Sequence, residues 1–283
     1  MIGWSEGRLA AAQRAWVEAR VPDAELIRDM SWGLVDTTVL HVRSNGEDFV
    51  VKAAGPEDTH MPREIAAHSG YTTPLVATGH AAALRGSSPS VRVILLEHLP
   101  GELVLGAEAE WQRDTYRQTG ALLRRLHDQA SRRDADYEAR ATARALHWLD
   151  QPHRVDPATA ARARHVLESA PTPPVPLVPT HGDWHPRNWL FDHGTVRVID
   201  FGRFAFRPAS TDLTRLAAQQ WRGRPDLEAA FFDGYGDDPR SPDLWRLEAL
   251  RQAVGTACWA YEVGDEAFEA QGHRMLAEAL DAY

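Results

Sequence analysis

One short segment concentrates side chains that can bind a metal ion or move a proton, and its sequence is His181-Gly-Asp-Trp-His-Pro-Arg-Asn188. A second segment, Val198-Ile-Asp-Phe-Gly202, follows it and adds another carboxylate. Carboxylate and amide oxygens suit Mg²⁺, whereas imidazole and carboxylate groups together also suit zinc. A single aspartate in a loop is usually a turn residue that accepts hydrogen bonds from loop amides. The residue types therefore leave a magnesium site, a zinc hydrolase site formed by His181, Asp183 and His185, and a structural turn as open interpretations.

The two segments together resemble the catalytic segments of the aminoglycoside phosphotransferase family, which in turn resemble those of protein kinases. The resemblance implies that Asp183 is the catalytic base and that Asn188 and Asp200 bind Mg²⁺ at the phosphates of ATP or GTP. Positioning and electrostatic stabilisation are the main tasks in phosphoryl transfer, and these residue types can perform both. The zinc interpretation explains neither Asn188 nor the Asp-Phe-Gly turn and is disfavoured.

The same resemblance assigns supporting roles around this loop. It implies that His181 and His185 support the catalytic loop. Asp212, within Ser210-Thr-Asp-Leu213, matches a family aspartate that caps the next helix or braces the loop.

Residues upstream of the loop resemble the nucleotide-binding residues of the family. Lys52 resembles the strand lysine that contacts the α- and β-phosphates, and Glu64 resembles its helical ion-pair partner, with Glu57 as a possible substitute. A lysine at a strand end and a glutamate in a first helical turn also have ordinary structural explanations, since the helix dipole favours the glutamate there.

Two further nucleotide contacts are implied. The segment Glu97-His-Leu-Pro-Gly101 resembles the hinge, where the carbonyl of Glu97 and the N–H of Leu99 are expected to contact the nucleobase. Ser31 and Gly33 lie in a segment that takes the place of the phosphate-covering loop, although it lacks the several glycines of the protein-kinase version.

Local patterns predict the elements that must position these residues. A hairpin is predicted around Asn45-Gly46, because two β-favouring runs flank a turn whose glycine tolerates positive φ. Apolar stripes with helical period and a proline suited to a helix start predict the helices. The predicted helices are 9–19, 62–68, 108–127, 140–150, 158–170 and several beyond 210, and the predicted strands lie within 25–53, at 91–97, 188–191 and 196–201, with an extended connector at 171–176.

The resemblance implies an α+β, two-lobed protein-kinase-like fold, with a small β-rich N-lobe and a larger, mainly helical C-lobe. The expected nucleotide-binding lobe is 1–100, with the hinge near 97–101. The expected C-lobe is 101–283 and contains the catalytic loop 181–188, the metal turn 200–202 and the substrate-binding helices.

Composition limits the classes of function. The formal net charge is −9, from 31 basic and 40 acidic residues, which disfavours nucleic acid as a partner and is compatible with a small cationic substrate. No apolar run is long enough to cross a bilayer and no secretory signal is evident, so we expect a cytoplasmic protein that does not bind membranes. We expect it to be a monomer or a homodimer. The single cysteine can form neither an internal disulfide nor a multi-thiolate zinc site.

The acceptor is predicted from charge and from the C-terminal helices. Helical spacing predicts that Trp259, Glu262 and Glu266 share one face, which suits ammonium groups, although core packing beside a solvated edge explains such a pattern equally well. We expect the acceptor to be a hydroxyl of a cationic antibiotic, with an aminoglycoside first and a tuberactinomycin peptide such as capreomycin or viomycin second. Homoserine, choline and fructosamine kinases share the machinery, and an inactive kinase fold acting as a binding module is a further alternative.

Overall fold

The computed structural model describes residues 4, 5, 7–31 and 37–283. The chain divides into two compact units, each built from several segments. The first unit comprises Met1–Gln129, His181–Ala205 and Asp226–Gly236, and the second comprises Ala130–Thr180, Phe206–Pro225 and Asp237–Tyr283. The division into lobes at residue 100 remains a prediction.

The first unit contains a five-stranded antiparallel sheet. Its strands are β1 (Glu25–Asp29), β2 (Thr37–Ser44), β3 (Glu47–Ala54), β4 (Leu84–Ser88) and β5 (Val93–Glu97), in the order β1-β2-β3-β5-β4. The β2–β3 turn is Asn45-Gly46, and both residues have positive φ, 52° and 82°. That backbone matches the twist of paired strands, so the predicted hairpin is confirmed.

Helices pack closely in the same unit. They are α1 (Ala11–Glu18), α2 (Met61–Gly70), α3 (Thr73–Val76), α4 (Arg113–His127) and α8 (Pro225–Tyr235), with a short 3-10 turn at Glu108–Trp111. A Cβ at Gly120 of α4 would collide with the carbonyl oxygen of Phe231 in α8. A Cβ at Gly234 of α8 would collide with the carbonyl oxygen of Arg117. The backbones of α4 and α8 therefore touch, which requires glycine at both positions.

A small sheet follows the chemically active segment. Strands β9 (Trp189–Asp192) and β10 (Thr195–Val198) form a hairpin, and β6 (Glu102–Leu103) pairs with β9 to give the order β10-β9-β6. Both strands predicted here are confirmed, but β10 ends at Val198 rather than at Phe201. Asp200 has φ 65°, a left-handed conformation that a strand cannot contain. The Asp-Phe-Gly segment thus leaves the sheet immediately after β10.

The second unit is mainly helical. Its elements are α5 (Tyr137–Asp150), α6 (Pro157–Glu168), α7 (Thr214–Ala218), α9 (Pro242–Val263) and α10 (Glu266–Leu280), with the strands β7 (Arg132–Asp134), β8 (Val175–Thr180) and β11 (Ala205–Arg207) in the order β11-β8-β7. A Cβ at Gly272 of α10 would lie 2.5 Å from the Ala257 Cα of α9, so these two helices also pack at backbone distance. Among the residues described, no helix combines the length and hydrophobicity that a transmembrane span needs.

Candidate active site

An ionic cluster joins the large sheet, α2 and the Asp-Phe-Gly segment. Lys52 lies on β3 and Glu64 lies on α2, and the Lys52 Nζ is 2.6 Å from Glu64 Oε1. The same Nζ is 3.4 Å from Asp200 Oδ1. The side chains of Lys52 and Glu64 are 12% and 5% exposed, whereas that of Asp200 is 50% exposed. Glu64, and not Glu57, is therefore the carboxylate bonded to Lys52, and Asp200 presents its other side to solvent.

Opposite charges in this cluster stabilise Lys52 and Asp200, whereas burial raises the pKa of the Glu64 carboxyl group despite the attraction of Lys52. Burial alone would lower the pKa of the Lys52 ammonium, but attraction to Asp200 and Glu64 outweighs burial and raises that pKa. Attraction to Lys52 lowers the pKa of the Asp200 carboxyl group. Both Lys52 and Asp200 are therefore charged at neutral pH.

Removing Lys52 should destabilise the fold as well as weaken nucleotide binding. Lys52→Met leaves the Glu64 carboxylate buried without its cation, which we expect to cost about 3–5 kcal/mol of unfolding free energy. In the double variant Lys52→Met/Glu64→Leu most of this loss should be recovered, while ATP affinity stays low. Urea denaturation and nucleotide titration measure the two effects.

The exposed ion pair of Arg43 and Asp48 supplies the control, with side chains 49% and 31% exposed. Arg43→Met should cost less than about 1 kcal/mol, because exposed pairs contribute little. A loss equal to that of Lys52→Met would contradict the buried-pair interpretation.

Residues of the predicted catalytic loop hold Asp183 in place. Asn188 Nδ2 donates to the Asp183 carbonyl oxygen at 2.8 Å and to Asp183 Oδ2 at 3.1 Å. A 3-10 turn at Pro186–Asn188 brings the two residues together across five positions. Because both bonds use the amide nitrogen of Asn188, its amide oxygen takes part in neither of them.

Two residues fix the Ile199 backbone beside this loop. The Ile199 N–H donates to the Asn188 carbonyl oxygen at 3.0 Å, and His181 Nε2 lies 3.0 Å from the Ile199 carbonyl oxygen. The Asp183 N–H donates to His181 Nδ1 at 3.2 Å. Nε2 of His181 therefore carries the ring proton. These bonds place Asp200, the next residue, against the catalytic loop.

The zinc interpretation is wrong for this arrangement. Both ring nitrogens of His181 are occupied by backbone groups, so the ring has no lone pair for a metal. Across the described ranges, no group of three or more His, Cys, Asp or Glu side chains could hold a metal ion.

Asn188 and Asp200 do fit Mg²⁺. The fit rests on the amide oxygen of Asn188, which neither bond to Asp183 uses, and on the half-exposed, ionised carboxylate of Asp200. Mg²⁺ characteristically takes few protein oxygens and completes its shell with phosphate oxygens and water. Gly202 leaves the space that this carboxylate needs, since a Cβ there would lie 3.3 Å from Asp200 Oδ1.

Phe201 packs between two histidines. The His68 ring on α2 is edge-on to Phe201 with centroids 5.3 Å apart, and the His181 ring lies 4.8 Å from Phe201 on the catalytic loop. Burial lowers the pKa of His68 to about 3. Sequence reasoning missed His68, although it follows Glu64 by four residues and so shares its helix face. The three rings connect α2 to the catalytic loop through the Asp-Phe-Gly segment.

His68 should make the fold sensitive to acid. Its pKa falls from an ordinary value of 6.5 to about 3 in the folded state, so between these values the unfolded chain binds the proton more readily. Stability should therefore fall as pH decreases through this window, by up to about 1.4 kcal/mol per pH unit. His68→Phe should flatten the profile measured by urea denaturation from pH 7 to 4. His193→Asn is the control, because that side chain is 98% exposed, and it should keep the pH profile of wild type. A His68→Phe variant with the pH profile of wild type would contradict the assignment.

Two neighbours of Asp183 complete the loop. His185 is buried, and its Nε2 lies 3.5 Å from Asp183 Oδ1. The Arg187 guanidinium donates from Nη2 to Asp183 Oδ2 at 3.1 Å. Sequence reasoning did not select Arg187, and its place beside the predicted metal ligand Asn188 was the available signal.

The remaining predicted nucleotide residues lie in or near the large sheet. Ser31 follows β1, and its Oγ accepts from the Val39 N–H at 2.9 Å. Glu97 ends β5, and Leu99 packs against the apolar cluster that contains Ile94. Gly33 lies outside the described residues. The nucleotide contacts of these residues remain predictions.

The structure corrects the predicted acidic face. Helix α9 ends at Val263, Gly264 has φ 74°, and Asp265 caps α10 by accepting from the Phe268 N–H at 3.0 Å. Trp259 and Glu262 therefore lie on α9, whereas Glu266 begins α10. A single helical face for the three residues is wrong, because a left-handed glycine separates the helices.

Trp259 and Asp212 each have a defined place in the second unit. Trp259 is 41% exposed and packs edge-on against Phe268 with centroids 5.9 Å apart. Asp212 is buried in the turn before α7, and the N-cap position of that helix is Leu213. The bracing role of Asp212 remains a prediction.

The family is shown by comparison with known proteins. The chain has a kinase-like α+β fold, and the model of the phosphotransferase enzyme family matches residues 27–245. The chain belongs to this family. It is a phosphotransferase, as the sequence predicts. None of the curated protein sequences matches the chain.

Solved structures confirm the predicted fold. The macrolide 2'-phosphotransferase MphH from Brachybacterium faecium has a TM-score of 0.60 at 19% identity, covering 94% of this chain and 98% of that one. A thermostable mutant of the aminoglycoside phosphotransferase APH(4)-Ia, in complex with ADP and hygromycin B, has a TM-score of 0.69 at 15% identity, covering 96% and 99%. The choline kinase LicA from Streptococcus pneumoniae has a TM-score of 0.64 at 12% identity, covering 96% and 100%.

Proposed function

We propose that this phosphotransferase transfers the γ-phosphoryl group of ATP or GTP to a hydroxyl group of a cationic antibiotic, with an aminoglycoside as the first candidate acceptor. The observation that carries the proposal is the ionic cluster in which Lys52 lies 2.6 Å from Glu64 and 3.4 Å from Asp200. Phosphoryl transfer needs such an arrangement, because fixed cations and metal ligands must stabilise the charge of the transferred group.

Each residue of the site has one task in this proposal. Lys52, aligned by Glu64, contacts the α- and β-phosphates. Asn188 and Asp200 hold Mg²⁺, which when bound neutralises part of the triphosphate charge. Asp183 accepts the proton of the acceptor hydroxyl and directs its oxygen at phosphorus.

Charge supports a cationic acceptor. The chain carries a net charge of −9, and Glu262 and Glu266 are exposed in the same unit as the exposed Trp259. Carboxylates and an aromatic face both attract ammonium groups. APH(4)-Ia, which has this fold, was solved with the antibiotic hygromycin B. A carboxylate-bearing acceptor such as homoserine should instead require a basic group in the acceptor site.

The test is an acceptor screen by mass spectrometry. The protein is incubated with Mg²⁺, ATP or GTP, and a panel of aminoglycosides, capreomycin, viomycin, spectinomycin, macrolides, choline and homoserine. We expect one added phosphate on an aminoglycoside, dependent on Mg²⁺ and strongly reduced with Asp183→Asn. Transfer to choline or homoserine alone would contradict the antibiotic assignment, and nucleotide binding without transfer to any compound would favour a binding module.

A further inference from the structure

Arg187 lies in the predicted catalytic loop, and the proposed function gives it no task. It lies in the 3-10 turn Pro186–Asn188, directly before the predicted metal ligand. Its Nη2 donates to Asp183 Oδ2 at 3.1 Å, and its side chain is 32% exposed. A guanidinium group that touches the predicted base and also reaches solvent can contact a ligand bound at that base.

The bond from Arg187 to Asp183, taken with the usual distances of phosphoryl transfer, would bring this group near the transferred phosphorus. A hydroxyl that gives its proton to Asp183 must lie about 2.6–3.2 Å from the carboxylate, and phosphorus must lie roughly 3–3.5 Å from the hydroxyl oxygen before transfer. The guanidinium is bonded to the same carboxylate. Its planar fork of five N–H donors can bind a carboxylate and a phosphoryl oxygen together.

The excess of negative charge at the site makes a second cation near Asp183 favourable. Glu64, Asp183 and Asp200 are carboxylates, and Lys52 is bonded to two of them. A triphosphate adds further negative charge beside these groups. A second fixed cation near Asp183 would stabilise the equatorial oxygens of the phosphoryl group as they move from the leaving group to the acceptor.

We infer that Arg187 is a catalytic residue that binds the transferred phosphoryl group, an inference that rests on the proposed function. In this step the acceptor oxygen forms a bond to phosphorus, and the bond between phosphorus and the β-phosphate oxygen breaks. The hydroxyl proton passes to Asp183, and the nucleoside diphosphate leaves with the electron pair. The Arg187 guanidinium stays protonated throughout and donates hydrogen bonds to the phosphoryl oxygens.

A purely structural role for Arg187 makes a different prediction. If Arg187 only positioned Asp183, its removal would lower turnover without changing how the protein binds a phosphoryl mimic. The decisive probe is therefore ADP with aluminium fluoride, which imitates the planar phosphoryl group beside ADP, with GDP used if the protein prefers guanine nucleotides. This probe needs no acceptor.

The experiment compares Arg187→Gln, Arg187→Lys and wild-type protein by calorimetry with Mg²⁺. Arg187→Gln should weaken binding of the ADP–aluminium fluoride complex by about 10- to 100-fold and leave ADP affinity unchanged, as for the loss of a charge-assisted hydrogen bond. Arg187→Lys should retain part of the affinity, because it keeps the charge but loses the fork. Arg124→Gln is the matched control, since Arg124 on α4 pairs with Asp128 just past the end of that helix. This variant should bind both ligands like wild type.

The outcomes separate this inference from the proposed function. Wild-type protein that prefers the fluoride complex, together with an Arg187→Gln variant that keeps the full preference, would overturn the role of Arg187 alone. Wild-type protein without any preference for the fluoride complex would overturn the inference about Arg187, whereas the proposed function is overturned only by the acceptor screen. Circular dichroism on each variant identifies a loss of binding that comes from unfolding. If Arg187→Gln is unfolded, the comparison of folded Arg187→Lys with wild type decides.

Discussion

Asp183→Asn is expected to lower phosphate turnover by about 10²- to 10⁴-fold, the usual contribution of a positioned general base. The amide has nearly the shape of the carboxylate, but it cannot accept the hydroxyl proton. Asp183 lies next to Asn188 and Arg187 within the catalytic loop, and Lys52 and Glu64 are bonded to each other elsewhere in the unit. Nucleotide affinity should therefore change little.

Single-turnover transfer and nucleotide titration separate these two effects. Asp192→Asn is the control, because Asp192 also accepts from an arginine, Arg197 Nη1, at 3.0 Å, but it lies at the end of β9 away from the loop. Its turnover should stay close to that of wild type. Near-normal turnover in Asp183→Asn would remove this residue as the base.

Asp200→Asn should lower turnover by about 10³-fold, because a metal that stabilises transition-state charge is worth several kcal/mol. Loss of the carboxylate charge weakens the Mg²⁺ site and also removes one of the two partners of Lys52. Unlike Asp183→Asn, this variant should be partly rescued by high Mg²⁺, since mass action refills a weakened site. The half-saturating Mg²⁺ concentration should rise at least tenfold.

Activity as a function of Mg²⁺, together with Mn²⁺ titration in the presence of AMP-PNP, measures this change. Asp48→Asn, at an exposed carboxylate paired with Arg43, should leave the metal dependence unaltered. An Asp200→Asn variant with the metal dependence of wild type would exclude Asp200 as a ligand.

Local signals were sufficient for the elements that carry the cluster. Asn45-Gly46 predicts a tight turn, and β-favouring runs on both sides predict the hairpin that ends near Lys52. Pro62 predicts the start of the helix that carries Glu64. A separation of twelve positions is sufficient for Glu64 to pair with Lys52. Helix α2 begins seven residues after β3 ends and brings Glu64 back to that strand.

Other features depend on contacts that local patterns do not contain. A single glycine such as Gly264 is tolerated within a helix, so helical spacing predicts one continuous face across it, whereas the chain uses Gly264 to end α9. Strand β8 was missed because prolines at 171–176 favour an extended connector, and its pairing with β7 is non-local. His68 and Arg187 gain their places only when Phe201 and Asp183 fold against them.

The central claim is that Asn188 and Asp200 hold a divalent cation at the triphosphate, with Asp183 facing the transferred group. A crystal structure with AMP-PNP and Mn²⁺, located by its anomalous signal, tests this most directly. We expect a metal bound by the Asn188 amide oxygen and the Asp200 carboxylate, with Lys52 on the α- and β-phosphates. A nucleotide bound elsewhere, or a metal bound by neither side chain, would contradict it.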